Sequence, residues 1–368
     1  MKKEKKKSNA GRTVARVILR TLLVLFTVIA LLVGGLYMTL DLIFNGPSPA
    51  ARDVLTMSLL EASATKWVPG LFIGQEMVEE IRTRDGAPLP EDFSNASQVI
   101  ITSGTAADNS SEWDEHPDGI RIESISGDTY NAHVMIIRDP SSVYLATSTK
   151  QRFHASIPGT RINHQIETEG AIAAINAGAF NDDGSSNSYV GSVPIGMVIS
   201  EGEIVWDDGQ NYEGFVGFNE DNVLVVANSM DKKRAKELNI RDGCCFGPVL
   251  LMNGVENQVE YSANSGYNPR TAIGQRADGA VIFVCIEGRQ IGSLGGTYSD
   301  LINIMVEYGA VNACNLDGGS STVMMYRDNH GKMGEPGKVH MINSYSLLQE
   351  EPRRMPTFFM VRPGESEE

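Results

Sequence analysis

The sequence predicts an α+β fold: a mixed β-sheet core packed by a few helices and preceded by one N-terminal transmembrane helix. Three observations carry this prediction. Residues 21–40 (TLLVLFTVIALLVGGLYMTL) contain no charge. From residue 120 onward the chain is a series of short β-favouring runs, mostly closed by Gly, Asp or Pro. Only two helical stretches interrupt those runs, an interval pattern that suits hairpin-like returns rather than a regular βαβ array.

The apolar run comes first. At 1.5 Å per residue its 20 residues span roughly 30 Å, the hydrocarbon thickness of a bilayer. Residues 1–20 hold Lys2, Lys3, Lys5, Lys6, Lys7, Arg12, Arg16 and Arg20 against the single acid Glu4. Basic residues on one flank keep that flank in the cytoplasm and export the chain beyond the apolar run. A cleaved signal would carry a shorter apolar core followed by a small-x-small site. Here Gly34-Gly35 lies inside the apolar run and is followed by Leu36-Tyr37-Met38, which fits an uncleaved signal anchor. The expected organisation is a cytoplasmic basic tail at 1–20, the anchor at 21–40, a linker and helical stalk at 41–119 and a globular domain at 120–368.

Without the 8 bases and 1 acid of the tail, totals of 31 and 46 fall to 23 bases against 45 acids, a net charge of −22. A surface of that sign repels nucleic acid and anionic lipid, which excludes a nucleic-acid partner and leaves insertion as the means of membrane attachment.

In the stalk, Asn45 to Asp53 (NGPSPAARD) reads as a Pro-containing linker. Leu55, Leu59, Leu60 and Ala64 repeat at helical spacing, and Met77 and Ile81 mark a second helix. Pro69-Gly70 predicts the break between them. Residues 85–119, rich in Asp, Ser, Gly and Pro, read as a loose connection with one apolar patch at 99–102.

In the globular part, HVMIIRDP, SVYLATS, AIAAINAG, PIGMVIS, NVLVVAN, AVIFVCIEG and AVNACNL are the expected strands. A short helix is expected near 165–170. A longer one is expected over 298–308, with Thr297 as N-cap and Gly309 beyond its end. Cys244, Cys245, Cys285 and Cys314 do not form a disulfide framework for a domain of this size. Adjacent Cys244 and Cys245 pair poorly with each other, while Cys285 and Cys314 lie in apolar strand runs. Buried free thiols are expected, one bridge being the alternative. No Cys-x-x-Cys or His pairing suggests zinc.

Four segments carry the chemistry: Ile175-Asn176-Ala177-Gly178-Ala179-Phe180-Asn181, Phe246-Gly247-Pro248-Val249-Leu250, Asn268-Pro269-Arg270-Thr271-Ala272-Ile273-Gly274 and Asn315-Leu316-Asp317-Gly318-Gly319-Ser320-Ser321. Their order and distances, with the 298–308 helix just before the last, resemble the phosphodiester glycosidase family over roughly residues 120–362. One departure stands out. Where that family has Asn-Gly-Gly-Phe-Phe, this chain has Ala177 and Ala179 at the second and fourth positions.

The residues support that resemblance on their own terms. Asp317 follows a strand and precedes Gly318, Gly319, Ser320 and Ser321, where glycines let the backbone approach a ligand and turn amides toward an anion. Glu287 also ends a strand run, and two strand-end carboxylates across a cleft are the pair that glycosyl transfer to water uses. A plain Asp-Gly turn and a solvated acid are the ordinary alternatives. Arg270 offers the bidentate guanidinium fork that phosphate matches, and Arg289 is a second such candidate. Asn176, Gly178 and Thr271 complete the expected substrate contacts. His154 and His164 are minor candidates.

The resemblance implies a hydrolase that cleaves a sugar-1-phosphodiester; the anchor read from residues 21–40 places it outside the cytoplasm, where envelope glycan or exopolysaccharide is the expected substrate. A glycan-binding or polysaccharide-assembly protein of the same fold, without catalysis, is the rival. Use of Ser320 as a nucleophile lacks a Gly-x-Ser-x-Gly elbow. No cofactor is expected. Asn181-Asp182-Asp183-Gly184 has the oxygen ligands of a calcium loop without its alternating spacing, and is the one place a divalent cation is weighed.

The topology is directly testable. Protease added to intact cells is expected to digest an epitope tag at the C-terminus and to spare one at the N-terminus. The reverse pattern would overturn the assignment.

Overall fold

The computed structural model describes residues 2–60, 65–82, 89, 92–100, 113–150, 152–181, 190–210, 212, 214–257, 266–345 and 351–364. Three helices come first: α1 (Lys2–Phe44), α2 (Pro49–Leu60) and α3 (Val68–Arg82). The strands are β1 (Ile120–Ser126), β2 (Asn131–Ile137), β3 (Val143–Thr147), β4 (Ala173–Asn176), β5 (Met197–Ser200), β6 (Glu203–Asp207), β7 (Phe215–Asn219), β8 (Leu224–Ala227), β9 (Ile240–Cys245), β10 (Val249–Met252), β11 (Val255–Glu256), β12 (Arg270–Arg276), β13 (Val281–Ile286), β14 (Ala310–Leu316), β15 (Met324–Asp328), β16 (Lys338–Met341) and β17 (Thr357–Val361). Helix α4 (Ile162–Glu169) precedes β4, α5 (Lys232–Glu237) precedes β9 and α6 (Tyr298–Glu307) precedes β14.

The fold is α+β, and its strands divide among three sheets. The largest runs β1-β2-β13-β12-β14-β10-β11, the second β16-β15-β4-β17-β3 and the third β6-β5-β9-β7-β8. Every pairing among the described strands is antiparallel. The inner faces of all three sheets meet in one core, with Phe283, Ile273 and Leu316 from the first, Ile175 and Phe359 from the second, and Val216 and Phe218 from the third. Each outer face packs under its own cover. In the first sheet Ile282, Val284 and Ile286 meet Leu301, Ile304 and Met305 of α6. In the second, Ala174 and Phe358 meet Ile162 and Ile166 of α4, and in the third Phe215 and Val225 meet Ala235 of α5.

Burial on both faces explains why strands such as VIFVCI are apolar throughout instead of alternating. Helix α6 buries its Leu301, Ile302, Ile304 and Met305, each contributing roughly 1.5–3 kcal/mol. Thr297 and Asp300 form a capping box at its start, and Gly309, at φ 81°, turns the chain into β14.

The N-terminal region differs in detail from the sequence expectation. Helix α1 runs unbroken through the basic tail and the apolar run. Its Thr13–Phe44 stretch is long and apolar enough to cross a membrane, its most apolar 18 residues having mean hydropathy 2.6 and no buried member. Pro69-Gly70 does not separate the two stalk helices but sits in the first turn of α3, where proline's missing N–H costs nothing. The irregularity inside α3 is at Gly74, at φ 74°. Helix α2 begins at Pro49, within the expected linker, and is docked against the globular part. Asp53, Thr56 and Met57 are buried, and Ser58 Oγ accepts the N–H of Tyr267 at 2.9 Å. A Cβ on Gly266 would lie 2.4 Å from Ser58 N, so only glycine permits this approach.

The globular part also starts earlier than residue 120. The Ser94 N–H bonds to Val226 O at 2.8 Å, the Asn228 N–H to Asp92 O at 3.0 Å, and Phe93 bridges to Ala227, extending the third sheet beside β8. Ser94 and Val99 are buried. Backbone pairing, invisible to composition, incorporates this segment.

These contacts set the boundary of a membrane-free chain. One beginning at Ser48 retains all of α2, whereas one beginning at Asp53 starts inside it. The shorter chain is expected to melt at least a few degrees lower, since about 1 kcal/mol shifts Tm by roughly 2–4 °C for a domain of this size. Equal melting temperatures by scanning fluorimetry would show that α2 adds nothing to the fold.

Candidate active site

The last of the four segments emerges from β14, in the interior of the largest sheet, where that sheet's end meets the end of β4 in the second sheet. The Asp317 N–H donates to Ala177 O at 3.0 Å, joining the first and fourth segments. The third segment closes on the same loop, because Gly319 N–H donates to Pro269 O at 2.8 Å. A Cβ on Gly318 would lie 2.7 Å from that carbonyl, and Gly319 holds φ 60°. The two glycines are therefore required by the clasp itself. Residues Gly319–Ser321 form a single 3-10 turn with the Ser321 N–H on Gly318 O. The amides of Gly319 and Ser321 are thus committed to carbonyls, which narrows the anion cradle expected of this loop.

Asn176 is the buried hub under the loop. Its Nδ2 donates to Asp317 O at 2.5 Å, while its Oδ1 accepts Thr271 Oγ1 at 2.9 Å and the N–H of Val323 at 3.1 Å. Asn176 and Thr271 have no exposed surface, so in this structure they fix the loop rather than face a ligand. Gly178 is similar. Its N–H donates to Thr357 Oγ1 at 3.1 Å, and an added Cβ would lie 2.9 Å from that of Cys244.

The arginines divide in the opposite sense to the expectation. Arg270 is buried, with Nε on Gly296 O at 3.1 Å, Nη2 on Gly266 O at 2.7 Å and the guanidinium carbon 4.1 Å from the centre of the Tyr298 ring. It braces the entry to β12. Arg289 is exposed, its Nη2 donating to Asn268 Oδ1 at 2.7 Å. Its Nη1 would lie 3.3 Å from a Cβ on Gly319, so the guanidinium rests over the loop. Arg353 arrives from the other end of the chain. Its Nη1 donates to Ser320 Oγ at 3.2 Å and its guanidinium stacks on Phe180 at 4.8 Å. The Tyr345 hydroxyl donates to Ser320 O and accepts the Arg353 N–H. Two cations therefore converge on the 318–321 turn.

Tyr212 and Tyr345 also sense Asp317. Burial is the main force raising both hydroxyl pKa values, with the Asp317 charge adding to it. Both phenols remain O–H donors throughout the physiological range.

Glu287, just beyond β13, is buried. It accepts His133 Nε2 at 3.0 Å, the backbone N–H of Ser344 and Gln290 Nε2 at 3.2 Å. Ser124 Oγ lies 3.0 Å from the other ring nitrogen of His133. Burial pushes the Glu287 carboxyl up, but the bonds from His133 and Ser344 outweigh it, and the net pKa is lowered. Glu287 is an ionised carboxylate at neutral pH. It is tied to the Asp317 loop through neighbouring residues, Ser344 on Glu287 and Tyr345 on Ser320.

His133, Arg353, Tyr345, Tyr212 and Asn268 escaped the sequence reading. His133 had a signal, since it shares strand parity with the core-facing Met135 and Ile137, where a histidine needs a buried partner. His154 and His164 bond locally to Ser156 and Thr168. Residues 182–184 of the weighed calcium loop lie outside the described residues. Among those described, no group of three His, Cys, Asp or Glu is arranged to hold a metal. All four cysteines are free and buried.

The profile of the phosphodiester glycosidase family matches residues 169–362, more than half of the chain. The SPbeta prophage-derived uncharacterized protein YomE of Bacillus subtilis (strain 168) is 26% identical over 192 residues. That match covers 50% of this chain but only 27% of the relative. Among solved structures, the catalytic domain of zebrafish N-acetylglucosamine-1-phosphodiester alpha-N-acetylglucosaminidase, auto-inhibited by its pro-peptide, superposes with a TM-score of 0.52 at 20% identity. It covers 66% of this chain and 82% of that one. A hypothetical protein from Synechocystis gives 0.41 at 17% identity over 66% of this chain and 62% of its own.

Glu287 supplies a test of the site's electrostatics. A carboxylate with a lowered folded pKa contributes stability above its unfolded value and loses it as pH falls through the folded value. Glu287→Gln is therefore expected to destabilise at pH 7 by about 1–3 kcal/mol, the scale of a disrupted buried charge-assisted hydrogen bond. The difference from the unsubstituted protein should shrink progressively as the pH is lowered below the ordinary carboxylate range. Urea unfolding across that range measures both; a pH-independent difference would count against an ionised Glu287.

Proposed function

The chain belongs to the phosphodiester glycosidase family, and from that premise we propose that it is a membrane-anchored hydrolase acting outside the cytoplasm. It cleaves a sugar-1-phosphodiester at the anomeric C–O bond, with envelope glycan or exopolysaccharide as the substrate class. The observation that carries the reading is the 317–321 loop, with a strand-end carboxylate and two arginines, Arg289 and Arg353, brought to one turn from distant parts of the chain.

The chemistry follows from the leaving group. Water adds its oxygen to C1 and gives up one proton. The C1–O electrons leave with the phosphate, which departs as a monoester whose second pKa is about 6 and needs no strong acid. The site must supply a proton acceptor or nucleophile, negative charge near the oxocarbenium-like centre and cations at the departing phosphate. Asp317 serves as base or nucleophile. Glu287, kept ionised by His133 and Ser344, adds stabilising charge near the cationic sugar. Arg289 and Arg353 bind the phosphate, the fork geometry of guanidinium matching its oxygens. Asn176, Thr271, Gly178 and Arg270 hold the loop in place.

Asp317→Asn removes the charge with little change of shape. Turnover of hexose and N-acetylhexosamine 1-phosphodiesters is expected to fall by about 10²-fold or more, the scale of lost general-base help. Its melting temperature should stay near that of the unsubstituted protein. Arg289→Lys keeps the charge but loses the fork, so KM should rise. A folded Asp317→Asn protein with undiminished turnover would refute the assignment. An unsubstituted protein that binds glycan and releases no sugar would favour the non-catalytic reading.

A further inference from the structure

We infer that the catalytic loop works against the bilayer surface and that its substrate is a sugar-1-phosphodiester whose alcohol is a membrane lipid. This rests on the glycosidase reading and on α1 as the membrane span.

The first link is the packing of α3 against the end of the span. Phe72 of α3 stacks on Phe44 at 5.0 Å between ring centres and lies 5.3 Å from Tyr37, both in the last two turns of α1. Tyr37 belongs to the apolar run itself, so the start of α3 lies beside the outer end of the span. There Trp67 and Leu71 are 61% and 71% exposed. Trp beside an apolar side chain at that level is the signature of an interfacial segment.

The second link joins those helices to the site. Helix α2 meets residues 266–267 through Ser58. Gly266 O accepts Arg270 Nη2, and the next residue but one, Asn268, pairs on its other side with Gly296 and accepts Arg289 through its side chain. Arg289 in turn rests over Gly319. Helix α2 also packs on α1 and α3, so contacts joined by a short stretch of chain run from the membrane span to the phosphate-binding arginine.

The third link is the surface beside that arginine. Residues 290–293 form a tight turn whose tip, Ile291, is 96% exposed, followed by Leu294 at 63%. Tyr267 is also exposed. The turn is anchored through buried Ser293, but the Ile291 and Leu294 side chains project into solvent and add nothing to the packed core. Inserted among lipid chains, each would take its apolar surface out of water. Attachment by apolar insertion also suits a domain too acidic to be drawn to anionic lipid by charge. A lipid-borne phosphodiester already lies in the plane the turn would enter, so its phosphate needs no diffusion through the field of the acidic surface.

The test uses the full chain in phosphatidylcholine vesicles, with and without bromine on the acyl chains. The emission added by Ile291→Trp should be substantially quenched by the brominated lipid. Turnover is then compared for two esters of one sugar 1-phosphate, methyl (water-soluble) and hexadecyl (membrane-borne). Ile291→Glu with Leu294→Glu is expected to lower hexadecyl-ester turnover by about tenfold or more, from loss of apolar insertion, and to leave methyl-ester turnover nearly unchanged. An unquenched tryptophan overturns the inference, as does an equal effect of the substitutions on both esters. If the unsubstituted chain cleaves the methyl ester alone, the lipid substrate is wrong and the glycosidase reading stands. If it cleaves neither, that reading fails and takes the inference with it.

Discussion

Three antiparallel sheets share one core, but no backbone ladder joins the first sheet to the second at the end where the site lies. Among the described residues that join is made by one backbone bond, Asp317 N–H to Ala177 O, and by one side chain. Asn176, at the last position of β4, reaches Asp317 O, Thr271 Oγ1 and the Val323 N–H, belonging respectively to the 317–321 loop, to β12 and to the chain entering β15. The residue is fully buried, so each of those groups would otherwise lack water as well as a protein partner. The position of Asp317 is therefore set by hydrogen bonds rather than by packing, and a shift of either sheet end would move the carboxylate. This is also why the first segment carries a polar residue, Asn176, at a fully buried strand end.

Much of the scaffold was legible. The N-cap at Thr297, the span of α6 to within one residue and the limits of β14 follow from local pattern, and the structure agrees with each. The apolar strands were visible too, although their division into three sheets was not, because side-chain pattern reports burial and not the neighbouring strand. Segment 92–99 was missed for a related reason. It joins the third sheet through backbone bonds from Ser94 and Asn228, and a sequence of Asp, Ser and Asn carries no trace of them.

The site was legible as motifs and not as roles. Arg270 and Arg289 have the same fork, and nothing local in sequence says which points inward. Arg270 sits at the first position of β12 with buried neighbours and spends its donors on the carbonyls of Gly266 and Gly296. Arg289 follows β13 in a left-handed conformation that carries it out over the loop. Arg353 lies 33 residues beyond Ser320 in an irregular stretch, and only the tertiary fold returns it there. Asn268 is the quiet member of this group. It lies in a conspicuous motif, yet its role is to hold Arg289 rather than to meet substrate.

The ionised state of Glu287 bears on the proposed reaction. An ordinary glycoside leaves as an alkoxide and requires a proton, so one of the two carboxyls must be held protonated by an apolar surrounding. Here the environment does the reverse. Burial alone would have raised the Glu287 pKa, but His133, Ser344 and Gln290 are arranged around its oxygens and favour the anion. The proposed site therefore lacks Glu287 as the acid for a departing alcohol. It is well suited to a leaving group that already carries its negative charge comfortably, provided cations receive it, and Arg289 and Arg353 stand at the loop where that charge would arrive. Charge of one sign at the sugar and of the other at the phosphate is the pattern that cleavage of a sugar-1-phosphodiester demands.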